Sequence, residues 1–500
     1  MVRPTSDVLS GGSRRGGIFT VANKRQIHGD ITYAKQDTSL CLFDREQIAQ
    51  SDIPEECIRG VLHDLRRVSL INCTLLSLPA TRDQSGESRW SATIFPHFIV
   101  EGESYFDPAS TPVVAISFVV DDATSLFYDF DAFGTVIDPD RLIAIIAHAN
   151  ATCIGRDIPT GPNPIISYFS GKSTIFETET IIGKVTAHHA PTWSTGGPKG
   201  ASIENTIYVT LGFKVAVLFD EAVDWTFVLV NYLGMLAGRP QNLLRFLLRA
   251  SNDPCEAEVF TVYWSMPPRR DTFIESEVGE VLLDGAAKPT EFATVLANWL
   301  VRNTDWHDAR SRFFASFRQQ RFDVARLVGA ANMFDILPAS AVPQTVELSS
   351  ELAAAAKLAR ETFAKLPESA ERASILSALG RLGTPALKHK IRHRVKVISD
   401  VVGERFPELT KVTDEAVNCR NHYVHGSAPS FDYDENFDCV TFFTRTLEFV
   451  FAASDLVEAG WNIKEWLAGW TAMRHPFDEF RIDYKDRLQR LKALLPVRQQ

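Results

Sequence analysis

The spacing of apolar residues changes near Pro289, and this change constrains the fold more than any other feature of the chain. From about Gln26 to Leu283, short runs rich in Val, Ile, Thr and Phe alternate with clusters of Gly, Pro, Asp and Ser, which is typical of strands joined by turns. From about Pro289 onward, apolar residues recur every three or four positions, which is typical of amphipathic helices. The sequence therefore predicts an α+β multidomain protein, with a β-rich N-terminal domain followed by an all-α antiparallel helical bundle.

The same patterns give bounds for the individual elements. The predicted strands are 31–43, 68–78, 90–100, 113–120, 178–185, 207–219 and 257–264, and two helices, 55–67 and 222–250, are predicted among them. The predicted helices of the bundle are 290–301, 306–317, 322–336, 346–366, 371–382, 387–402, 412–425, 437–458 and 483–495. We expect three segments: a disordered tail over 1–20, the β-rich domain over 21–288 and the helical domain over 289–500.

The composition restricts the compartment and the cofactors. Seven cysteines are scattered singly without CxxC spacing, which fits a reducing cytosol and indicates neither a zinc site nor a disulfide framework. The most apolar stretch, 226–238, is too short to span a bilayer. We therefore expect a soluble, cytoplasmic protein that binds no metal or other cofactor and no membrane.

The charge distribution leaves one candidate surface for nucleic acid. The net charge is −10, so the protein as a whole does not attract RNA and any binding site must be a local basic patch. The best candidate is the basic run 388–396 on a predicted helix, from which we expect RNA contacts by Lys388, Lys390, Arg392 and Arg394. The alternative is that the run is a solvated helix face.

The motif Arg420-Asn421-x-x-x-His425 carries the strongest chemical signal. An arginine holds a phosphate with a planar fork of donors, and a histidine transfers protons near neutral pH. The adjacent asparagine can orient the histidine, since Asn421 and His425 are neighbours at positions i and i+4 of one helix. That helix is expected to end at Gly426, and its dipole would favour a protonated His425 in the last turn. Such a set of side chains can cleave a phosphodiester without a metal.

The chain contains a second match, Arg302-Asn303-x-x-x-His307. Asn303 and the two residues after it are typical of a helix end followed by an N-cap, so Arg302 and His307 are predicted to lie on different helices. Short patterns of this kind also occur by chance. The match at Arg420 also has an alternative interpretation, in which its residues lie at a helix end and have no function.

Three more residues near the motif are candidate auxiliaries. His422 lies inside it and is a second imidazole, so the roles could be divided differently. Asp414 and Glu415 precede Arg420 by one to two helical turns and could orient Arg420 or a histidine. Acids early in a helix more often favour its N-terminal dipole.

Arg420-Asn421-x-x-x-His425-Gly426, late in a helical bundle, resembles the motif of the HEPN superfamily, and the whole layout resembles the ApeA-type antiphage proteins. The segments 27–33 and 39–43 look like the opening hairpin of the ApeA N-terminal domain, and 321–334 looks like the first long helix of its HEPN bundle. The resemblance implies a homodimer that cleaves RNA, such as tRNA or mRNA, without a metal, as a defence that halts the infected cell. Cleavage by an arginine and a histidine would leave 2′,3′-cyclic phosphates. The resemblance also implies roles for Arg420 as phosphate binder, Asn421 as its polar partner and His425 as general acid or base.

Two other classes of function remain open at this point. The bundle could be an interaction module that dimerises or binds a partner without catalysis, as many helical bundles do. Alternatively, the N-terminal domain, which is otherwise expected to be a sensor or regulator with a phage-derived trigger, could bind a ligand such as a glycan or a phage protein as the primary activity.

Overall fold

The computed structural model describes most of the chain. The described residues are 13–34, 37–82, 88–153, 155, 159, 161–194, 198, 200–251, 257–265, 277–346, 348–469 and 474–495. The chain forms two compact units, one made of 1–234, 241–278 and 283–289, and the other of 235–240, 279–282 and 290–500.

The first unit is rich in β-structure, as predicted. Its strands are β1 (Ser13–Thr20), β2 (Gln26–Tyr33), β3 (Ser39–Asp44), β4 (Cys57–Leu62), β5 (Arg67–Ser77), β6 (Ala80–Arg82), β7 (Ser88–Gly102), β8 (Val113–Val120), β9 (Phe133–Thr135), β10 (Ser167–Phe169), β11 (Thr174–Glu179), β12 (Gly183–His189), β13 (Thr192–Trp193), β14 (Ile203–Glu204), β15 (Ile207–Val217), β16 (Leu243–Ala250) and β17 (Glu258–Trp264). Its helices are α1 (Ala123–Leu126), α2 (Asp140–Cys153) and most of α3 (Phe219–Ala237).

Six antiparallel strands close into a barrel. The order β7-β3-β2-β1-β4-β5 returns to β7, because β5 pairs with β7 over much of its length. Apolar side chains such as Phe19, Leu40 and Leu70 fill the core of these strands. The long strand β7 also pairs with β17, from which the sheet continues in the order β16-β8-β15-β12-β11.

The predicted disordered tail is wrong for the residues of β1. Ser13–Thr20 pairs with β2 on one side and with β4 on the other. The glycines of β1 weaken the sequence pattern that is typical of a strand. The close pairing of β1 with its neighbouring strands nevertheless requires them. A Cβ at Gly17 would lie 2.6 Å from the carbonyl oxygen of Val61. The first twelve residues of the predicted tail lie outside the described residues.

Two helix predictions in this unit also need correction. The segment 55–67 contains strand β4, in which alternate residues are buried, as a period of two requires. The predicted helix 222–250 covers most of α3 and then strand β16. Gly238 has a φ of +74° directly after α3, and Pro240 follows, so the chain leaves the helix there. Helix α2 was not predicted.

The second unit is a helical bundle, which confirms the predicted fold class. Its helices are α4 (Pro289–Val301), α5 (Asn303–Phe317), α6 (Val324–Asp335), α7 (Ser350–Ala364), α8 (Ala370–Gly380), α9 (Leu387–Val402), α10 (Leu409–His425), α11 (Phe437–Ala459), α12 (Ile463–Ala468) and α13 (Pro476–Leu494). Helix α11 is at the centre, because most of its residues are buried and it packs on α6, α9, α10 and α13. No helix within the described ranges combines the length and the apolar character that crossing a membrane requires.

Candidate active site

Helix α10 carries the motif and ends where the sequence predicted. Its buried residues include Val412, Ala416 and Cys419, which fix the helix against the bundle. Gly426 follows in the left-handed conformation with a φ of +66°, and its N–H donates to the carbonyl oxygen of His422. The C-cap therefore places His425 in the last turn of the helix, where its side chain is exposed.

Arg420 and His425 meet at the end of this helix. Arg420 Nη1 lies 2.9 Å from His425 Nε2 and 3.0 Å from Asn421 Oδ1. A guanidinium has no acceptor, so this contact requires an unprotonated Nε2 and hence a neutral imidazole with its proton on Nδ1. Asn421 bonds to the arginine rather than orienting the histidine.

A residue on another helix completes the set of partners around Arg420. Asn332, in the last turn of α6, accepts a hydrogen bond from Arg420 Nη2 through Oδ1 at 3.0 Å. All three partners of Arg420 are therefore neutral acceptors, and no described carboxylate forms an ion pair with it. The guanidinium keeps an uncompensated positive charge, and its Nε is buried without a hydrogen-bond partner in the described structure. Asn332 was not among the predicted site residues.

His422 lies beside this site but faces a different set of groups. Its Nδ1–H donates to the carbonyl oxygen of Ser427 at 2.8 Å, and its ring contacts the rings of Tyr423 and Tyr433. Tyr423 donates to Asp434 at 2.7 Å. Burial and acidic hydrogen-bond partners raise the pKa of both phenols, so they stay protonated. This aromatic group borders the site on one side.

The two acids of α10 do not contact Arg420 or His425. Asp414 pairs with Arg392 at 2.6 Å. Glu415 is buried and accepts hydrogen bonds from Tyr433 at 2.8 Å and Asn418 at 2.9 Å. Glu415 therefore fixes the chain after the motif helix to the helix itself. In the described part of the chain, no group of three or more His, Cys, Asp or Glu side chains is placed to hold a metal ion.

The basic run lies on α9, and its charges are largely engaged within the protein. Lys388 Nζ donates to Asn418 Oδ1 and Lys390 Nζ to the carbonyl oxygen of Asp335, both at 2.6 Å. Arg392 is half-exposed in its ion pair with Asp414. These contacts join α9 to α10 and to the end of α6.

Arg394 does not lie on the surface, so its predicted contact with RNA is wrong. Its side chain is fully buried, donates to Ser454 at 2.9 Å and forms an ion pair with Glu458 at 2.7 Å. The guanidinium also stacks near the ring of Trp306. The reason is helical geometry, because Arg394 shares the buried face of α9 with Ile391, Val395 and Ile398.

The arginine of the second match to the motif stabilises the packing of helices. The helix break lies at Arg302 and not, as predicted, at the three residues after it: Arg302 is the single residue between α4 and α5, and Asn303 and His307 both lie on α5. Arg302 Nη1 donates to Glu458 at 2.8 Å, and its Nη2 bonds to Asp455, whose carboxylate also accepts from the buried Arg310 at 2.9 Å. His307 is exposed on α5. The pattern there supports helix packing and forms no arginine–histidine pair.

Comparison with known proteins agrees with both units. The family model described as Apea-like HEPN matches residues 328–465, a range that includes Asn332, Arg420 and His425. The model described as ApeA N-terminal domain 1 matches residues 14–299, more than half of the chain. No curated protein and no solved structure shows significant similarity to the chain. The chain therefore belongs to the ApeA-type HEPN proteins, a family associated with antiphage defence.

Proposed function

We propose that this protein is a metal-independent endoribonuclease that acts in antiphage defence, with its site at Arg420 and His425. The observation that carries the proposal is the environment of Arg420, which three neutral acceptors hold in place and no described carboxylate neutralises. An arginine held in this way is ready to bind an anion, because its charge is uncompensated and its position is fixed. HEPN domains are generally ribonucleases, which makes RNA the expected anion.

The proposed reaction is an internal transesterification of RNA. The 2′-oxygen of a ribose attacks the adjacent phosphorus as a base removes its proton, and the bond to the 5′-oxygen breaks as an acid protonates that leaving oxygen. The products are a 2′,3′-cyclic phosphate and a 5′-hydroxyl. Arg420 stabilises the negative charge that develops on the phosphate oxygens.

His425 would transfer one of the two protons. Its neutral Nε2 lies 2.9 Å from Arg420 Nη1, so a phosphate bound to the guanidinium would lie within reach of the same imidazole. A neutral imidazole is the form that accepts a proton, which suits a general base. A reaction of this type also needs an acid, and one Arg420–His425 set contains a single imidazole. A homodimer would supply a second His425, and His422 is the alternative within one chain.

RNA cleavage in EDTA by wild type, Arg420→Ala and His425→Ala tests the proposal, with analysis of the 3′ ends. We expect cyclic phosphate ends from wild type, a loss of about 10²–10³-fold in Arg420→Ala, and about 10²–10⁴-fold in His425→Ala. His307→Ala is the matched control, since it removes an exposed histidine from the same pattern and should cut like wild type.

Two outcomes would contradict the proposal. Cleavage that survives in both site variants would make the motif coincidental. The absence of cleavage and of toxicity on overexpression, including with phage present to supply a trigger, would favour a non-catalytic interaction module.

A further inference from the structure

Two lysines of α9 have surroundings of the same kind as Arg420. Lys388 Nζ donates to the side-chain oxygen of Asn418, and Lys390 Nζ donates to the backbone carbonyl oxygen of Asp335, both at 2.6 Å. Neither ammonium group forms an ion pair with a carboxylate in the described part of the chain. Both side chains are half-buried, so a neutral acceptor fixes each positive charge in place and leaves it uncompensated.

The other lysine and arginine residues of this basic run differ in that respect. Each of them is neutralised by a carboxylate at 2.6–2.7 Å: Arg392 by Asp414, Arg394 by Glu458 and Lys396 by Asp400. The run therefore does not act as one basic surface, and its first two charges are the ones that an anion can bind.

The acceptors of these two lysines each lie about one helical turn from an acceptor of Arg420. On α10, Asn418 is three residues before Asn421, whose side chain accepts from Arg420 Nη1. On α6, Asp335 is three residues after Asn332, whose side chain accepts from Arg420 Nη2. Residues three apart on a helix are neighbours, with about 5–6 Å between their Cβ atoms. The three cationic groups are therefore close together, at a spacing comparable to that of successive phosphates on an RNA strand.

The loop after α10 has the opposite charge and lies on a different side of the motif helix. It carries three exposed carboxylates without a cationic partner in the described structure: Asp432, Asp434 and Glu435. The hydroxyl group of Tyr423 donates to Asp434 and holds this loop beside the helix, about 140° around the helix axis from Asn418. Unpaired carboxylates repel a phosphate backbone, so a strand bound at the motif is expected to leave it towards α9.

We propose that Lys388 and Lys390 bind phosphates adjacent to the one held by Arg420, so that the substrate is an unpaired RNA strand that runs from the motif towards α9. This statement rests on the proposed ribonuclease function. An unpaired strand fits, because cleavage requires the 2′-oxygen, the phosphorus and the leaving 5′-oxygen to lie in line. A base-paired A-form strand holds its 2′-oxygen out of that line.

Binding of RNA by the full chain tests these two phosphate subsites separately from cleavage. Fluorescence anisotropy with a labelled, unstructured RNA is measured in the His425→Ala background at increasing KCl concentrations. Lys388→Gln/Lys390→Gln keeps a hydrogen-bond donor at each position and removes both charges. We expect this variant to bind at least about tenfold more weakly and to lower the slope of log K against log[KCl] by about 1.4, since each phosphate contact on a single strand contributes about 0.7.

Lys396→Gln/Lys411→Gln is the matched control, since it removes the same charge from two exposed lysines that pair with Asp400 and Glu408. Its salt slope should equal that of His425→Ala alone. A duplex of the same sequence should bind at least about tenfold more weakly than the single strand, because its backbone cannot adopt the unpaired path. Circular dichroism verifies that each variant is folded.

The outcomes separate the phosphate subsites from the proposed function. An unchanged salt slope in Lys388→Gln/Lys390→Gln, or equal binding of duplex and single strand, would overturn the subsites even if wild type cleaves RNA. The expected loss of binding together with a wild type that never cleaves RNA would support the subsites and reject the ribonuclease. Failure of both wild type and His425→Ala to bind RNA would overturn both.

Discussion

The pattern Arg-Asn-x-x-x-His occurs twice in the helical unit, and the structure gives its two arginines opposite surroundings. Arg302 faces the carboxylates of Asp455 and Glu458, which neutralise its charge. Arg420 faces two amides and an imidazole, which hold the guanidinium without neutralising it. The comparison teaches that the charge of the neighbouring groups, and not the sequence pattern, separates an arginine that stabilises a fold from one that can bind an anion.

The largest expected effect tests the structural side of this comparison. Asp455→Ala should lower the free energy of unfolding by about 3–5 kcal/mol, because it leaves the buried Arg310 and the half-buried Arg302 without their shared carboxylate. Urea denaturation measures this loss. Asp400→Ala is the control, since it removes only an exposed ion pair with Lys396 on α9 and should cost little. Equal losses in the two variants would contradict the assignment of Asp455 as the anchor.

The next prediction gives Arg420 the environment of Arg302. Asn421→Asp places a carboxylate next to Arg420 Nη1 and should reduce RNA cleavage by about 10²-fold, because the new charge competes with the phosphate for the guanidinium. The free energy of unfolding should stay the same or rise. Single-turnover rates and urea denaturation on the same samples measure both. Asn303→Asp, the same change in the second match, should leave the rate per folded molecule unchanged.

The smallest expected effect concerns the contact between α6 and the motif helix. Asn332→Ala removes the acceptor of Arg420 Nη2 and should lower the cleavage rate by about tenfold, since the guanidinium loses one of three groups that position it. The chemistry itself should persist. A matching fall in the rate at saturating RNA, with a smaller change in apparent RNA affinity, is expected for a positioning residue. A rate equal to that of wild type would show that Asn421 and His425 position Arg420 without help.

Local patterns predicted the site helix and part of its partners. The end of α10 at Gly426 and the closeness of Arg420 to His425 follow from helical spacing and capping, and both are present in the structure. Asn332 could not be predicted in this way, because it lies 88 residues before Arg420 and meets it only through the packing of α6 on α10.

The error at Arg394 was avoidable, because the sequence carried the signal of its burial. Ile391, Val395 and Ile398 define an apolar face by their spacing, and Arg394 lies on that face. The prediction rested on the number of basic residues in the run, whereas the position of each residue on the helix determines whether its side chain is buried. A basic run on an amphipathic helix should be divided by face before it is assigned to RNA.

The missed strands of the first unit have a different cause. β1 and β4 pair with each other and with strands elsewhere in the chain, and they carry glycines at positions where a partner comes close. A Cβ at Gly60 would lie 2.4 Å from the ring of Phe19. Such residues weaken the local strand signal because the requirement for them is set by a distant part of the chain.

The central position of α11 affects when the site can form during synthesis. The segments that hold Asn332 and Arg420 leave the ribosome before residues 437–459, yet it is this later helix that packs on α6, α9 and α10 and completes their core. The apolar faces of these earlier helices lack most of their cover until residue 459 has emerged. A nascent chain therefore carries the motif well before it carries the assembled site, and the site can form only after α11 has left the ribosome.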